Sequence, residues 1–346
     1  MAVSGSTRER TSRARWSAGW ENGRPPAKNE DVPPDSELSE AGASGVDSQK
    51  RIVLPSWRLP RGFMPPAPVL SSFSFTFLGT GTSAGVPVIG CQCDVCTSAD
   101  PRDRRRRASV CLRFTDGGGQ ERVVLIDTSP DLRAQALELA LERCDAILFT
   151  HDHVDHTFGL DEVRRFNAVM RSAIDIYAEQ GTLDFLHRVY RHIFEAEKNV
   201  NNSFVARLVE HELRVAQPLD LFGLRFTPIR LLHGRQPVLG FRIEALDGSG
   251  EVASSQPGPL PLAYCTDVSE IPEETWGQLG GLKTLVLDML RPQRHPTHFS
   301  TEEAVSAAEK IAAKQTLFIH MTHDISHAGL ELPDGMALAH DGLALS

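Results

Sequence analysis

Four potential metal ligands occur within six residues of this chain. The apolar segment DAILFT is followed by His151, His153, Asp155 and His156, and then by the amphipathic stretch TFGLDEVRRF. Residues two apart in an extended chain project the same way, so His151 and His153 can hold one ion. Asp155 and His156 lie where the chain turns into a helix and can face a second ion. Because imidazoles crowded this tightly need a cation to offset their desolvation, the pattern predicts a metal centre rather than a solvated polar loop.

Further ligand-type residues follow other apolar segments. His233 comes after LRFTPIRLL, Asp267 after LAYCT and His320 after QTLFI, while Asp288 lies within TLVLDML. Polar residues at the ends of successive strands build a site at one edge of an α/β sheet. We expect His233 and His320 to complete the two metal shells and Asp267 to bridge both ions. Taken alone, each is equally compatible with a hydrogen-bonded polar residue at a strand end.

The chain from residue 70 to residue 346 has the pattern of one layered α/β domain. The whole chain has 346 residues, of which 41% are hydrophobic, enough for a substantial core. Short apolar strands alternate with Gly-rich turns, and amphipathic helices are predicted at 130–143, 161–171, 182–196 and 300–313. Strands with helices between and after them predict mixed sheets covered by helices.

Residues 1–69 differ from the rest of the chain. They are rich in Pro, Ser, Gly, Arg and Glu and have few periodic apolar residues. Such a segment cannot offset its ordering entropy, so we expect a disordered extension. Its first twenty residues are rich in Arg and Ser, which is compatible with an organelle transit peptide. We therefore expect a cytoplasmic protein, or an organellar one if the extension acts as a transit peptide.

The charge balance limits the partners. Against 36 basic residues stand 45 acidic ones, for a net charge of −9, so no general positive field attracts nucleic acid or anionic lipid. No apolar run approaches the roughly 20 residues of a membrane span. We expect neither a membrane nor a nucleic-acid partner, and the sequence leaves a homodimer open. The arginine run at 102–107 is typical of a solvated face, although near a phosphate site it can also steer an anion.

Three cysteines form a separate cluster. Cys91, Cys93 and Cys96 lie within GCQCDVC, at spacings too short for easy disulfide bridging. Three thiolates suit a soft tetrahedral ion such as zinc, which needs one more ligand. The alternative is three free reduced thiols in a Gly-rich loop.

Taken together, these motifs resemble a known family. The HxHxDH pattern is similar to the signature of metallo-β-lactamase-fold hydrolases. Other segments resemble the subgroup of phosphoribosyl 1,2-cyclic phosphate phosphodiesterases, and the resemblance covers almost all of 73–346 in order. These segments are FLGTGTSAGVPVIGCQCDVC (77–96), LIDTSPDLR (125–133), HG…PVLGFR (233–242), YCTD (264–267), HPTHFSTEEA (295–304) and HMTH (320–323).

The resemblance implies a fold and a set of roles. The fold would be an αββα sandwich of two facing mixed sheets flanked by helices, with the metals in a cleft at one edge. His298 would lie over the scissile phosphate and protonate the leaving oxygen, and Asp127 would orient ligands from behind. The implied ligand sets are His151, His153 and His233 for the first ion, Asp155, His156 and His320 for the second, Asp267 bridging both, and His323 with Cys91, Cys93 and Cys96 for a structural zinc.

The expected chemistry is hydrolysis. Two Zn or Mn ions with an open position between them would convert a bridging water into a hydroxide nucleophile. We expect a binuclear metal-dependent phosphodiesterase that acts on a small phosphate ester, of the phosphoribosyl 1,2-cyclic phosphate or cyclic nucleotide type. A tRNA 3′-end endonuclease, a thioester or lactone hydrolase of the same fold and a non-catalytic scaffold are the alternatives. The sequence does not distinguish Zn from Mn at this centre.

Overall fold

Fourteen strands and seven α-helices are present in residues 70–201 and 203–346, the part of the chain that the computed structural model describes. The predicted extension 1–69 lies outside the described residues. The strands are β1 (Ser72–Gly79), β2 (Ser109–Thr115), β3 (Glu121–Ile126), β4 (Ala146–Leu148), β5 (Ile174–Ala178), β6 (Leu208–Glu212), β7 (Leu219–Leu221), β8 (Leu224–His233), β9 (Gln236–Ala245), β10 (Leu262–Cys265), β11 (Thr284–Asp288), β12 (Gln315–Ile319), β13 (Met336–Leu338) and β14 (Ala344–Leu345). The helices are α1 (Leu132–Glu138), α2 (Val154–Thr157), α3 (Arg164–Met170), α4 (Gln180–Val189), α5 (Arg191–Phe194), α6 (Glu273–Trp276) and α7 (Thr301–Ile311).

The strands form two sheets of seven. The first has the order β14-β1-β2-β3-β4-β5-β6, and the second has the order β13-β12-β11-β10-β9-β8-β7. In the first sheet, β1, β2 and β3 pair antiparallel, whereas β3 to β6 are parallel. In the second, β7 to β10 pair antiparallel and β10 to β13 are parallel. Both sheets are therefore mixed, as the resemblance implied.

Alternating apolar residues bury one face of each sheet against the other. Phe75 and Phe77 of β1 share a core with Phe226, Phe241 and Tyr264 of the second sheet. The outer face of the first sheet is covered by apolar residues of α1, α3 and α4, and the outer face of the second by those of α7. This gives four layers in the order αββα, so the predicted fold class is confirmed.

The ends of the strands turn sharply where ligand-type residues occur. Asp127 and His320 directly follow β3 and β12, and Asp267 lies two residues after the end of β10. Their φ values are 64°, 63° and 56°, respectively. This left-handed region costs energy for residues other than glycine, and such strain is concentrated at functional sites. The turns bring side chains from both sheets to the same edge of the sandwich.

Several elements differ from the sequence prediction. The helix predicted at 130–143 is shorter, since α1 spans only Leu132–Glu138. The helix predicted at 182–196 is divided into α4 and α5, which meet at Tyr190. The edge strand β6 was not predicted, because its sequence LVEHE has acidic residues and a histidine where an apolar pattern would indicate a strand. No helix in the described residues is both long and apolar enough to cross a membrane.

Candidate metal centre

One buried carboxylate joins the predicted ligands. An oxygen of Asp267 lies within 4.8 Å of ligand atoms of Asp155, His156 and His320, and the same residue forms a second such group with His151 and His153. His153 is partly exposed, whereas the other members are buried. Asp267 therefore occupies the place expected of a bridging residue.

His233 lies beside the second of these groups. Its ring centroid is 5.0 Å from that of His153 and 5.8 Å from that of His151. Its closest potential ligand group contains Asp267 and His298. The structure thus brings all the predicted ligands of the first two ions to one place, and metal ligation by each of them stays a prediction.

A carboxylate behind the centre orients two of the imidazoles. His156 donates from Nδ1 to Asp127 Oδ2 at 2.8 Å, which leaves its Nε2 for the centre. The hydroxyl of Thr150 donates to the same Asp127 oxygen at 2.9 Å and accepts from His151 Nδ1 at 2.9 Å. Such outer hydrogen bonds fix the tautomer and the direction of a ligating histidine. Asp127 lies where the resemblance placed it, but no sequence signal indicated Thr150.

His298 is oriented in the same way by a second carboxylate. Its Nδ1 donates to Asp288 Oδ2 at 2.8 Å, and its ring centroid lies 4.4 Å from that of His233 and 4.8 Å from that of His320. Asp288 also accepts the backbone N–H of Val268 at 2.8 Å. The capping box of Ser300 and Glu303 fixes the start of α7 two residues after His298. His298 therefore presents Nε2 at the centre from a rigid loop.

The buried nitrogens of the centre fit a cation. Among the described residues, Nε2 of His151, His156 and His320 is buried without a hydrogen-bond partner. Buried polar atoms are normally satisfied, and a metal ion can accept the lone pairs of these nitrogens. The carboxylates of Asp155 and Asp267 would balance part of its charge. Imidazole and carboxylate donors together suit Zn and Mn alike. The residues present therefore fit the metal ions that the fold implies.

The electrostatic field of the centre also favours positive charge. Burial lowers the pKa of His151 well below its ordinary value, which keeps the imidazole neutral, the form that binds metal. Burial acts the same way on His320, but the carboxylates of Asp267 and Asp155 outweigh it and raise the pKa to about 9. His156 is likewise raised well above its ordinary pKa by Asp267 and Asp155, against the effect of burial. A field that holds protons this firmly also favours a metal cation.

The cysteine cluster forms a second potential metal site. His323 Nδ1 lies 3.2 Å from Cys91 Sγ, 3.5 Å from Cys93 Sγ and 3.3 Å from Cys96 Sγ. Ligands that share a tetrahedral zinc, with bonds of about 2.3 Å to sulfur and about 2.0 Å to nitrogen, are separated by about 3.6 Å. A backbone N–H from Cys96 lowers the pKa of Cys93 to about 7, whereas burial raises that of Cys96 to about 11. The four donors surround one point, as expected of a closed site.

Arg105 corrects the prediction for the arginine run. Its side chain is buried, with 1% of the residue exposed, and it donates to the carbonyls of Thr322 and Ile325 at 2.8 Å. It also pairs with the buried Asp103. A buried guanidinium needs such partners, so this residue fastens the segment that contains His323 and does not belong to a solvated face.

Comparisons with known proteins agree with this geometry. Residues 122–321 match the model of the β-lactamase superfamily domain. A crystal structure of a diphosphatase from the PhnP family is 39% identical, covers 80% of this chain and 98% of that chain, and has a TM-score of 0.68. Zn²⁺-bound PqqB from Methylobacterium extorquens is 20% identical over 79% of this chain and 99% of its own, with a TM-score of 0.59, and shows the fold alone.

A curated relative extends beyond the chain. An octanoyltransferase of Porphyromonas gingivalis is 33% identical over 273 residues, which are 77% of this chain and 50% of that protein. The chain thus spans about half the length of this relative.

Two facing mixed sheets with His and Asp donors at one edge define a metal-dependent hydrolase of the metallo-β-lactamase fold. The chain belongs to the β-lactamase superfamily and, within it, to the PhnP family.

Proposed function

We propose that the centre binds two divalent cations, Zn²⁺ or Mn²⁺, and hydrolyses a small cyclic phosphodiester of the phosphoribosyl 1,2-cyclic phosphate or cyclic nucleotide type. The observation that carries the proposal is the position of Asp267, which lies within 4.8 Å of ligand atoms from three groups of donors. These groups are Asp155, His156 and His320; His151 and His153; and His233 and His298. In a hydrolase of phosphate esters, a cationic centre stabilises the charge on the phosphate, and a proton donor assists departure of the leaving oxygen.

The donors divide into two sets around Asp267. His151, His153 and His233 would hold one ion, and Asp155, His156 and His320 the other. When bound, such ions lower the pKa of coordinated water and neutralise the charge of a phosphate ester. The protein supports them by burying the ligands and by fixing His151 and His156 through Thr150 and Asp127.

His298 is proposed as the general acid. The Nδ1–H of His298 donates a hydrogen bond to Asp288, so the proton at Nε2 of the imidazolium is the one that can be transferred to substrate. In the hydrolysis, the oxygen of water forms a bond to phosphorus and the ester P–O bond breaks. The leaving alkoxide takes the proton from His298 Nε2, and the water proton restores the imidazolium. Asp288 holds the positive ring in place throughout this exchange.

The PhnP-family relative supports hydrolysis at phosphorus and does not specify the substrate of this chain. It is a diphosphatase, an enzyme that hydrolyses a bond between two phosphates. We do not propose octanoyl transfer, because the chain spans only half of the octanoyltransferase. The Cys91, Cys93, Cys96 and His323 cluster is proposed to bind a structural zinc, since its four donors match the number that a closed tetrahedral zinc site uses.

Turnover of defined substrates tests the proposal. Metal-depleted protein is reconstituted with Mn²⁺ or Zn²⁺ and incubated with ribose 1,2-cyclic phosphate and with 2′,3′-cyclic nucleotides, and ring opening is followed by ³¹P NMR. We expect ring opening that requires the added metal and is abolished by a chelator. A tRNA precursor, a thioester and a lactone serve as competing substrates. Metal-dependent cleavage of one of these, with no ring opening of either cyclic phosphate, would reject the proposal.

A further inference from the structure

The buried pair of Asp103 and Arg105 holds the segment that follows β12 by three of its backbone groups. Arg105 donates from Nη1 to the carbonyl of Thr322 and from Nη2 to the carbonyl of Ile325, both at 2.8 Å. Asp103 accepts the backbone N–H of His327 at 2.8 Å and a hydrogen bond from Arg105 at 3.1 Å. Hydrogen bonds to charged groups are among the stronger ones in a protein. The segment is therefore bound on both sides of the histidine of the Cys/His site.

The same segment is joined to the Gly-rich turn that follows β1. The N–H of Met321 donates to the carbonyl of Thr80 at 3.0 Å, and the carbonyl of Met321 accepts from the N–H of Thr82 at 3.2 Å. Met321 directly follows His320, whose Nε2 is one of the unpartnered nitrogens of the centre. The turn thus fixes the residue next to a predicted metal ligand.

Gly81 brings this turn against the arginine run. It forms β-bridges with both Arg107 and Met321. A Cβ added to Gly81 would lie 2.9 Å from the Cβ of Arg105, which is closer than two such atoms can approach without a shift. Glycine is the residue that permits so close an approach of backbone. The arginine run, the turn and the segment after β12 therefore form one continuous layer of backbone.

His320 needs such support, because its backbone is strained. Its φ of 63° lies in the left-handed region, and a residue other than glycine stays there only where its surroundings fix it. A zinc ion at the Cys/His site would hold the segment through His323 alone. The contacts of Arg105 hold two of its carbonyls and do not depend on a metal.

We propose that Arg105 is a positioning residue for His320, and that it keeps the segment after β12 in place whether or not zinc is bound at the Cys/His site. The inference rests on the proposed function, in which His320 is a metal ligand. The catalytic centre should therefore keep its affinity for metal when the zinc is lost, and it should lose affinity when Arg105 is replaced.

Three variants separate positioning from general stability. Arg105→Met removes the donors and keeps an apolar side chain, whereas Arg105→Lys keeps the charge on a side chain with fewer donors. Arg122→Met is the matched control. Arg122 also pairs with two carboxylates, those of Asp116 and Asp145, and it lies near the start of β3, whereas Asp127 follows the other end of that strand.

Hydrogen exchange shows how firmly the segment is held, in the full chain and without turnover. In metal-free protein, Arg105→Met should speed exchange of the N–H groups of Met321 and Thr322 by about tenfold or more. Arg105→Lys should give a smaller increase, and it makes the same comparison if the methionine variant does not fold. In protein supplied with zinc, Cys93→Ser should change this exchange by less than about threefold, and Arg122→Met should not change it. An increase in Cys93→Ser as large as in the Arg105 variants, or no increase in those variants, would overturn the inference.

Metal affinity separates this inference from the proposed function. Binding of Mn²⁺ is followed by electron paramagnetic resonance in protein supplied with zinc for the Cys/His site. We expect Arg105→Met to lower the affinity of the centre by about 10- to 100-fold, Arg105→Lys to restore part of the loss and Cys93→Ser to change it by less than about threefold. Binding of Mn²⁺ that the Arg105 variants leave unchanged would contradict the inference alone. A wild-type centre that binds no metal would contradict the proposed function, and with it the role assigned to His320.

Discussion

The His/Asp centre and the Cys/His site each take one histidine from the same short segment after β12, yet the two sites are built differently. His320 belongs to the first and His323 to the second. The centre draws its donors from strand ends of both sheets, and carboxylates outside it orient its imidazoles. The cysteine site takes three donors from one loop and surrounds a single point with four. Under the proposed function, the first site would take the substrate, whereas the second would fasten a loop beside it.

The largest loss of activity is expected from substitution of Asp267, which lies between the two sets of metal ligands. Asp267→Asn should lower kcat/KM by on the order of 10³-fold or more, because an amide cannot supply the charge that two cations share. Metal analysis should show loss from the centre with the zinc of the cysteine site retained. Asp145→Asn is the control, since Asp145 is a buried carboxylate at the opposite end of β4 from His151 and is paired with arginines. Equal loss of zinc from both sites would argue against their independence.

A substitution of His298 tests whether this histidine transfers a proton or binds a metal ion. His298→Gln should lower turnover of an alkyl phosphodiester by about 10²- to 10⁴-fold while the metal content stays unchanged. The loss should be much smaller for a p-nitrophenyl ester, whose leaving group needs no protonation. His211→Gln, at a surface ion pair, is the control. If His298→Gln loses a metal ion, the histidine is a ligand and not a general acid.

Substitutions of Thr150 test whether the hydrogen bonds that orient the ligating histidines affect metal binding and turnover. Thr150→Val removes the hydroxyl between His151 and Asp127 with little change of shape, and we expect metal affinity or activity to fall by about 10- to 100-fold. Thr150→Ser keeps the hydroxyl and should rescue most of the loss. A valine variant with wild-type metal affinity and turnover would show that this hydrogen bond does not matter.

Substitution of Cys93 should lower the stability of the protein more than its turnover. Cys93→Ser would weaken the proposed zinc site between the cysteine loop and the segment after β12, so we expect Tm to fall by roughly 5 °C, which corresponds to about 2 kcal/mol. Turnover at a lower temperature should change only a few-fold. Ile89→Ser is the control, because Ile89 is fully exposed near the same loop. A loss of turnover as large as that of Asp267→Asn would contradict the division between the two sites.

The same contrast explains how much the sequence could predict. His151, His153, Asp155 and His156 are close together in the chain, as are the three cysteines, so their spacing alone predicted two clusters. The αββα fold followed from the strand pattern and the resemblance, and it is confirmed.

Other features depend on contacts between distant segments. Thr150 matters only because Asp127, at the end of another strand, lies beside it. Arg105 is buried only because carbonyls of Thr322 and Ile325 approach it from the far end of the chain. The cleft beside His151 forms where the two sheets meet, so no local sequence pattern predicts it.

Anomalous scattering from crystals of the reconstituted protein, at the zinc and manganese edges, tests the central claim most directly. We expect two peaks flanking Asp267, one near His151, His153 and His233 and the other near Asp155, His156 and His320. A third peak, at the zinc edge, should lie among Cys91, Cys93, Cys96 and His323. The absence of any ion at Asp267 after reconstitution, or a single ion held by only one of the two sets, would contradict the binuclear centre.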